Sequence, residues 1–263
     1  MKQDNVSAFE LTRMKGRGEK ISVLTAYDYA WGRIIDEAGI DVALVGDSLG
    51  MVVLGYETTL QVTMEDMVRH TAAVARGAKR ALVVADMPFL SYQASDEDAI
   101  RNAGRLVQEG GAQVVKLEGG GGVVEIIRRI VEIGIPVMGH VGLTPQSVHQ
   151  LGYRTQGADA ANAERIAKEA LALQHAGVCA VVLEKVPSEL AARITSELTI
   201  PTIGIGAGPG CDGQVLVTHD ILGMYDRFVP PFVKQYANLW QATLDAFKAY
   251  NNDVKQGLFP PSM

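Results

Sequence analysis

The chain has 263 residues, 24 of them basic and 30 acidic, which gives a formal net charge of −6. This length is close to the roughly 250 residues of one β/α barrel and favours a single domain over residues 1–263. The absence of a dense Lys or Arg run and of a long apolar run predicts a cytoplasmic protein that binds neither nucleic acid nor a membrane.

Eight short apolar runs recur along the chain and predict eight strands. They are Ile21 to Leu24, Val42 to Val45, Leu82 to Ala85, Val114 to Leu117, Pro136 to Gly139, Ala180 to Leu183, Thr202 to Ile205 and Val215 to Val217. Helix signals lie between them: N-cap residues at Thr63 and Ser95, Pro187 in a first turn, and a helix over 161–176 that stops at Gly177. This alternation predicts a (β/α)8 barrel.

The segment after Asp220 breaks this pattern. Pro230 and Pro231 interrupt it, and the apolar residues of 232–247 predict a helix that packs on the barrel or on a neighbouring subunit. The glycine clusters at 119–122 and 204–210 predict tight turns.

The two cysteines, Cys179 and Cys211, are far apart in the sequence and form no Cys-x-x-Cys pair. We therefore expect neither a disulfide framework nor a zinc site, and we predict two buried, unreactive thiols.

Four of the predicted strands end in a carboxylate: Asp47, Asp86, Glu118 and Glu184. A single acid at such a position often caps the next helix. Four acids indicate a functional site, because the carboxyl ends of barrel strands meet at one mouth. The first three would repel one another unless a divalent cation lay between them, and hard oxygen ligands favour Mg²⁺.

Two basic side chains lie at the same predicted mouth. Lys116 is two residues before Glu118, so both side chains point to the same face of their strand. Lys116 either neutralises the acids or contacts a substrate. His140 follows the fifth run, where a neutral imidazole could donate a hydrogen bond to a developing enolate oxygen or serve a structural role.

Other motifs favour different functions. Residues 46–50 match the Gly-x-Ser-x-Gly elbow of serine hydrolases, with Ser48 as nucleophile, but the β-branched residues that follow argue against the required helix. Residues 208–213 match Gly-x-Gly-x-x-Gly but precede an apolar run rather than a helix, which argues against a dinucleotide site. The glycine-rich loop after the seventh run is either a tight turn or a phosphate-binding loop. A non-catalytic barrel that only binds a ligand, as a sensor or scaffold protein, is a further alternative.

Seven segments together resemble the ketopantoate hydroxymethyltransferase family. They are ThrAlaTyrAsp at 25–28, ValGlyAspSerLeuGlyMet at 45–51, HisThrAlaAlaVal at 70–74, AlaAspMetProPhe at 85–89, ValLysLeuGluGly at 115–119, GlyHisValGlyLeuThrProGln at 139–146 and GlyIleGlyAlaGly at 204–208. The resemblance implies a (β/α)8 TIM barrel of the phosphoenolpyruvate/pyruvate superfamily. Relatives that act on other oxoacids, in carbon–carbon or carbon–phosphorus chemistry, are the nearest alternative.

The resemblance also implies a reaction and its residues. The family transfers a hydroxymethyl group from 5,10-methylenetetrahydrofolate to 3-methyl-2-oxobutanoate, giving 2-dehydropantoate and tetrahydrofolate in pantothenate biosynthesis. The expected partners are the oxoacid, the folate and other copies of the chain in a cytoplasmic homodecamer. The implied roles are Mg²⁺ binding by Asp47, Asp86 and Glu118, oxoacid binding by Asp47, Ser48, Asp86 and Lys116, and proton acceptance by Glu184. The chemistry of this reaction adds His140 to the substrate-binding residues, where it would balance charge on the enolate oxygen or the carboxylate.

Overall fold

The computed structural model describes residues 5–225 and 229–261. Its eight parallel strands pair in chain order and close into a barrel, which confirms the predicted fold class. The strands are β1 (Ile21–Thr25), β2 (Val42–Val45), β3 (Leu82–Asp86), β4 (Val114–Glu118), β5 (Val137–Gly142), β6 (Ala180–Glu184), β7 (Thr202–Ile205) and β8 (Gly213–Leu216).

Helices connect the strands. They are α1 (Ala8–Gly16), α2 (Tyr29–Glu37), α3 (Leu49–Val52), α4 (Met64–Gly77), α5 (Asp96–Gln108), α6 (Val124–Glu132), α7 (Val148–Leu151), α8 (Ala160–His175), α9 (Ser188–Glu197), α10 (Thr218–Ile221) and α11 (Leu239–Lys255). Thr63 forms a capping box with Asp66 at the start of α4, and Ser95 caps α5. Pro187 is the N-cap of α9, so it lies just before the helix rather than in its first turn as predicted.

Strand alternation sorts the apolar side chains into two layers. Val42 and Leu44 of β2 belong to the cluster that fills the barrel, whereas Ala43 and Val45 pack in the cluster that includes the surrounding helices. The same alternation holds in β3, where Leu82 faces the barrel interior. The core thus lies both inside the barrel and between its strands and helices.

The amino-terminal end of the barrel is closed by α1. Leu11 and Met14 of this helix belong to the interior cluster, and Leu11 is fully buried. Ile21 N–H donates to Asp212 O at 3.0 Å where β8 meets β1. A Cβ on Gly213 would lie 2.5 Å from Ile21 O, so glycine is needed for the close approach of these strands. Helix α1 therefore acts as a plug at this end, and the opposite end of the barrel is available for a site.

Several predicted boundaries were wrong. β8 begins at Gly213 rather than Val215, because Gly213 takes part in the β7–β8 pairing. β5 runs on to Gly142 and so includes His140. A helix, α3, does follow the predicted serine elbow, contrary to our expectation from its β-branched residues, although it has only four residues.

The chain divides into two compact units, one up to Val215 and one from Leu216 onward. The one-domain interpretation of 1–263 stays a prediction. In the second unit α11 spans Leu239–Lys255, later than the predicted 232–247. The shift follows from an N-cap at Asn238, whose side chain accepts from Gln241 N–H.

Candidate active site

Five of the sequence-predicted residues lie at inward positions near the carboxyl ends of their strands, and Asp47 and Ser48 follow the end of β2. Asp86 extends the inward series of Leu82 and Val84, and Glu184 extends that of Ala180 and Val182. Lys116 and Glu118 likewise follow Val114, and His140 follows Met138. The alternation that builds the core therefore also directs these polar side chains into the mouth of the barrel.

Lys116 lies between two of the carboxylates. Its Nζ is 3.1 Å from Asp86 Oδ1 and 3.9 Å from Glu118 Oε1, and all three side chains are buried. Burial alone would lower the pKa of Lys116, but Asp86, Glu118 and Asp47 together raise it above its usual value. Lys116 is therefore a buried ammonium ion held by the acids around it.

His140 connects this cluster to Glu184. Its Nδ1 is 3.2 Å from Lys116 Nζ and 3.5 Å from Glu118 Oε1, and its Nε2 is 3.4 Å from Glu184 Oε2. Although burial and the charge of Lys116 act to lower it, Glu118 and Glu184 raise the pKa of His140 to about 9. A neutral ring that accepts from Lys116 at Nδ1 carries its proton on Nε2, and so does the imidazolium. In both states the proton is on Nε2, which lies near Glu184 but makes no well-aligned hydrogen bond to it.

The three acids proposed for metal binding differ in their surroundings. Burial, followed by the charges of Asp86 and Glu118, raises the pKa of Asp47 well above its usual value. Burial also raises the pKa of Asp86, against the opposing charge of Lys116. Burial would raise the pKa of Glu118 as well, but contacts with His140 and Lys116 hold it below its usual value. In the metal-free site Asp47 and Asp86 therefore take up a proton more readily than exposed aspartates do, whereas Glu118 keeps its negative charge.

Ser48 lies beside the cluster, and its hydroxyl is hydrogen-bonded to a tyrosine rather than to a histidine that could act as its base. Its Oγ is 2.9 Å from the hydroxyl of Tyr27. A Cβ on Gly46 would lie 2.7 Å from Ser48 Oγ, so this glycine makes room for the serine hydroxyl. Asp47 N–H donates to Asp86 Oδ2 at 3.0 Å, which connects the end of β2 to β3.

Sequence reasoning missed two residues of the site, Gln146 and Tyr92. Gln146 donates from its backbone N–H to Glu118 Oε2 and from its side-chain Nε2 to Asp47 Oδ2, both at 2.9 Å. The hydroxyl of Tyr92 donates to Gln146 Oε1 at 2.8 Å. Gln146 lay inside a segment used for the family resemblance, but no pattern of charge or strand register marked it as part of a site.

The donor set matches Mg²⁺ in kind, although the structure holds no preassembled cage. Among residues 5–225 and 229–261, no group of three or more His, Cys, Asp or Glu side chains is arranged to hold a metal ion. The oxygens of Asp47, Asp86 and Glu118 are nevertheless hard ligands, and Mg²⁺ is often held by one or two carboxylates with water and substrate. Asp86 Oδ1 is a buried oxygen that makes no well-aligned hydrogen bond. These residues therefore fit a cation whose coordination is completed by other ligands.

Residues 5–262 match the family model described as ketopantoate hydroxymethyltransferase. The chain belongs to this family. A 3-methyl-2-oxobutanoate hydroxymethyltransferase of Moorella thermoacetica is 61% identical over 259 residues, which cover 98% of this chain and 96% of that relative. Its counterpart from Syntrophus aciditrophicus is 60% identical over 248 residues, covering 94% of this chain and 91% of the relative.

Family membership gives the reaction. The chain is a transferase that places a hydroxymethyl group on 3-methyl-2-oxobutanoate in pantothenate biosynthesis. The family uses a folate co-substrate, so the small-molecule partners are an oxoacid and a folate. None of the helices in the described part of the chain has both the length and the hydropathy that a membrane crossing requires.

Several solved structures of similar fold are those of other enzymes. The crystal structure of 2,3-dimethylmalate lyase, a PEP mutase/isocitrate lyase superfamily member, matches with a TM-score of 0.63 and 18% identity, covering 98% of this chain and 90% of that one. A phosphonopyruvate hydrolase solved with oxalate and Mg²⁺ has a TM-score of 0.63 and 10% identity, with 96% and 88% of the two chains covered. At these identities the likeness concerns the fold alone.

Proposed function

We propose that the transfer begins with removal of the C3 proton of 3-methyl-2-oxobutanoate by Glu184, and that the resulting enolate attacks the methylene carbon of 5,10-methylenetetrahydrofolate. One carbon–nitrogen bond of that methylene group breaks as the new carbon–carbon bond forms, and water then displaces the second nitrogen, which gives the hydroxymethyl group and tetrahydrofolate. A hydrogen beside a ketone is weakly acidic, so the site must stabilise negative charge on the keto oxygen while a base takes the proton. A cation-binding set of acids close to a separate carboxylate provides both functions.

Glu184 is suited to the role of base because it stands apart from the other acids. His140 lies between Glu184 and Glu118, with contacts of 3.4 and 3.5 Å to their carboxylates. Nε2 of His140 lies 3.4 Å from Oε2 of Glu184 without a well-aligned hydrogen bond, so the carboxylate is free to accept a proton. The side chain of Glu184 is 16% exposed, in contrast to the buried carboxylate of Glu118, so substrate can reach it from the mouth.

The remaining polar groups balance charge. Asp47, Asp86 and Glu118 would hold Mg²⁺, and bound Mg²⁺ would act as a Lewis acid toward the keto group. Lys116 is positively charged and contacts two of these acids, so it can also neutralise the carboxylate of the oxoacid. The hydroxyl of Ser48, hydrogen-bonded to Tyr27, would position the oxoacid without attacking it.

The observation that carries this proposal is the continuous set of contacts from Asp86 through Lys116 and His140 to Glu184. It is tested by deuterium exchange at C3 of 3-methyl-2-oxobutanoate in D₂O, followed by proton NMR with Mg²⁺ and no folate. We expect exchange with the unaltered protein, a rate about 10²–10⁴-fold lower for Glu184→Gln, and no change for Glu189→Gln, an exposed acid of α9.

A protein that only binds the oxoacid would give exchange no faster than buffer. Exchange by Glu184→Gln at the unaltered rate would show that another group is the base. Loss of exchange on chelation with EDTA and its return with Mg²⁺ would support the metal assignment, whereas full activity in EDTA would contradict it.

We extend the proposal to a cytoplasmic homo-oligomer, a decamer by the family resemblance. Helix α11 exposes apolar side chains spaced along one face, with Trp240 50%, Leu244 39%, Phe247 69% and Tyr250 59% exposed. An apolar stripe of this kind is typical of a surface that a protein partner covers. Light scattering coupled to gel filtration measures the mass, and a monomeric mass would contradict this part of the proposal.

A further inference from the structure

Gln146 is a buried glutamine that contacts two of the three acids proposed for metal binding. Its backbone N–H donates to Glu118 Oε2 at 2.9 Å. Its side-chain Nε2 donates to Asp47 Oδ2 and to Met87 O, each at 2.9 Å. One residue therefore connects the carboxylates at the ends of β2 and β4, which are not adjacent strands.

The contacts allow only one orientation of the Gln146 amide. The partners of Nε2, Asp47 Oδ2 and Met87 O, are both acceptors, so they need the two N–H groups of the amide. The partners of Oε1 are donors, the hydroxyl of Tyr92 at 2.8 Å and Gln93 Nε2 at 3.3 Å. A flipped amide would set an oxygen against a carboxylate, which is repulsive.

Tyr92 fixes the Gln146 amide through its hydroxyl group. Its ring is buried, with 1% of the residue exposed, and its hydroxyl lies 3.2 Å from Glu118 N and 3.0 Å from Glu118 O. The same hydroxyl that fixes the Gln146 amide therefore also contacts the end of β4. Buried polar groups that form so many mutual hydrogen bonds restrict one another to one geometry.

We propose that Gln146 is a positioning residue for the metal-binding acids. By holding Asp47 Oδ2 through its amide and Glu118 Oε2 through its backbone, it fixes the rotamers of both carboxylates before a cation arrives. Partners of this kind commonly contribute 10- to 100-fold to metal affinity. The inference rests on the proposed function, in which Asp47 and Glu118 bind Mg²⁺.

The test compares cation binding by the full-length protein and by Gln146→Met, which keeps the length of the side chain but removes the amide. Mg²⁺ affinity is measured by titration calorimetry, and Mn²⁺ binding by the loss of the free-ion EPR signal together with the spectrum of the bound ion. We expect about 10- to 100-fold weaker binding and a changed bound-ion spectrum for Gln146→Met.

Gln156→Met is the matched control. Gln156 is also buried, but its side chain donates to the backbone of Arg154 at 3.1 Å rather than to a carboxylate. This variant should bind both cations as the unaltered protein does. A similar loss in Gln156→Met would attribute the effect to general disturbance of the barrel mouth and overturn the inference.

Tyr92→Phe keeps the inference testable if Gln146→Met fails to fold. It retains the buried ring and removes the hydroxyl that fixes the amide, so we expect about 3- to 10-fold weaker Mn²⁺ binding. Unaltered affinity and spectrum in folded Gln146→Met, or in Tyr92→Phe, would overturn the role of Gln146. Absence of Mn²⁺ binding by the unaltered protein would instead overturn the metal assignment, and the positioning role with it.

Discussion

Replacing Asp47 by asparagine should make the metal-free protein more stable. Asp47 is buried, and its pKa is raised by burial and by the charges of Asp86 and Glu118, so its ionised form opposes folding. Asparagine has nearly the same shape, and its carbonyl oxygen can still accept from Gln146 Nε2, which now donates to Asp47 at 2.9 Å. The substitution therefore removes a repelling charge and keeps the hydrogen bond.

The expected gain in the free energy of unfolding is about 1–2 kcal/mol at pH 8, in the range found when costly buried charges at functional sites are removed. For a chain of this length the gain corresponds to a rise in Tm of about 2–8 °C. The attraction of Lys116 opposes the repulsion by Asp86 and Glu118, which keeps the gain small. Saturating Mg²⁺ should stabilise the unaltered protein by about 2.7 kcal/mol at one hundred times its Kd, and the variant much less.

The way in which stability changes with pH follows from the direction in which folding shifts the pKa of Asp47. Because the pKa of Asp47 is raised by folding, its protonated form favours the fold below the unfolded-state pKa. This contribution is lost as the pH rises through the folded-state pKa. The stability advantage of Asp47→Asn should therefore grow with pH and vanish under acidic conditions.

The assay is thermal unfolding followed by circular dichroism in EDTA and in Mg²⁺, at one protein concentration and across pH. Asp41→Asn is the control of opposite sign, because Asp41 Oδ1 pairs with the Arg80 guanidinium at 3.7 Å and the substitution would set an NH2 group against that cation. That variant should lose about 1 kcal/mol. A less stable Asp47→Asn in EDTA, or an equal Mg²⁺ shift in both proteins, would refute the reasoning.

Three further predictions follow from the same structure. In steady-state assays of hydroxymethyl transfer, Ser48→Ala should keep measurable activity while Glu184→Gln loses about 10²–10⁴-fold in kcat; the reverse ranking would favour a serine nucleophile. Gly142→Ala should lower the free energy of unfolding by about 2 kcal/mol or more, because Gly142 has φ +98° and an added Cβ would lie 2.3 Å from Glu184 O. Denaturant titration measures this loss, and an unchanged midpoint would contradict the prediction. Cys211 is buried as predicted, whereas Cys179 is only partly buried. Burial still raises the pKa of Cys179 to about 12 and also that of Cys211, so a thiol reagent at pH 8 should react slowly with the native protein and rapidly with both thiols after unfolding. Fast labelling of the native protein would contradict the raised pKa values.

The fold could be predicted because strand alternation and barrel closure leave a strong pattern in the sequence. Each of the eight strands overlaps an apolar run that was predicted to be a strand. An acid at the end of such a run lies at the mouth of the barrel because the carboxyl ends of parallel strands meet there. The alternation that brings Leu82 inward also brings Asp86 inward, so its position at the mouth was readable from the run alone. Ends of elements were less certain where pairing with a neighbouring strand decides them, as at Gly213 and His140.

What the sequence did not predict depends on contacts between distant segments. Gln146 reaches Asp47 across 99 positions, and Tyr92 reaches Gln146 across 54. Neither residue is charged or at the end of a strand, so no local pattern distinguishes it from a structural side chain. The role of α1 as a plug was missed for the same reason, since Leu11 is buried only because the barrel has an open end to fill.

Three acids that look equivalent in the sequence are not equivalent in the site. His140 and Lys116 stabilise the carboxylate of Glu118 and lower its pKa. Burial and the negative charges of Asp86 and Glu118 raise the pKa of Asp47. In the metal-free site the neighbouring groups therefore balance the charge of Glu118 better than that of Asp47. We infer that the affinity of the site for a divalent ion depends chiefly on how firmly Asp47 is held, which is why its hydrogen bond from Gln146 is the contact to remove first.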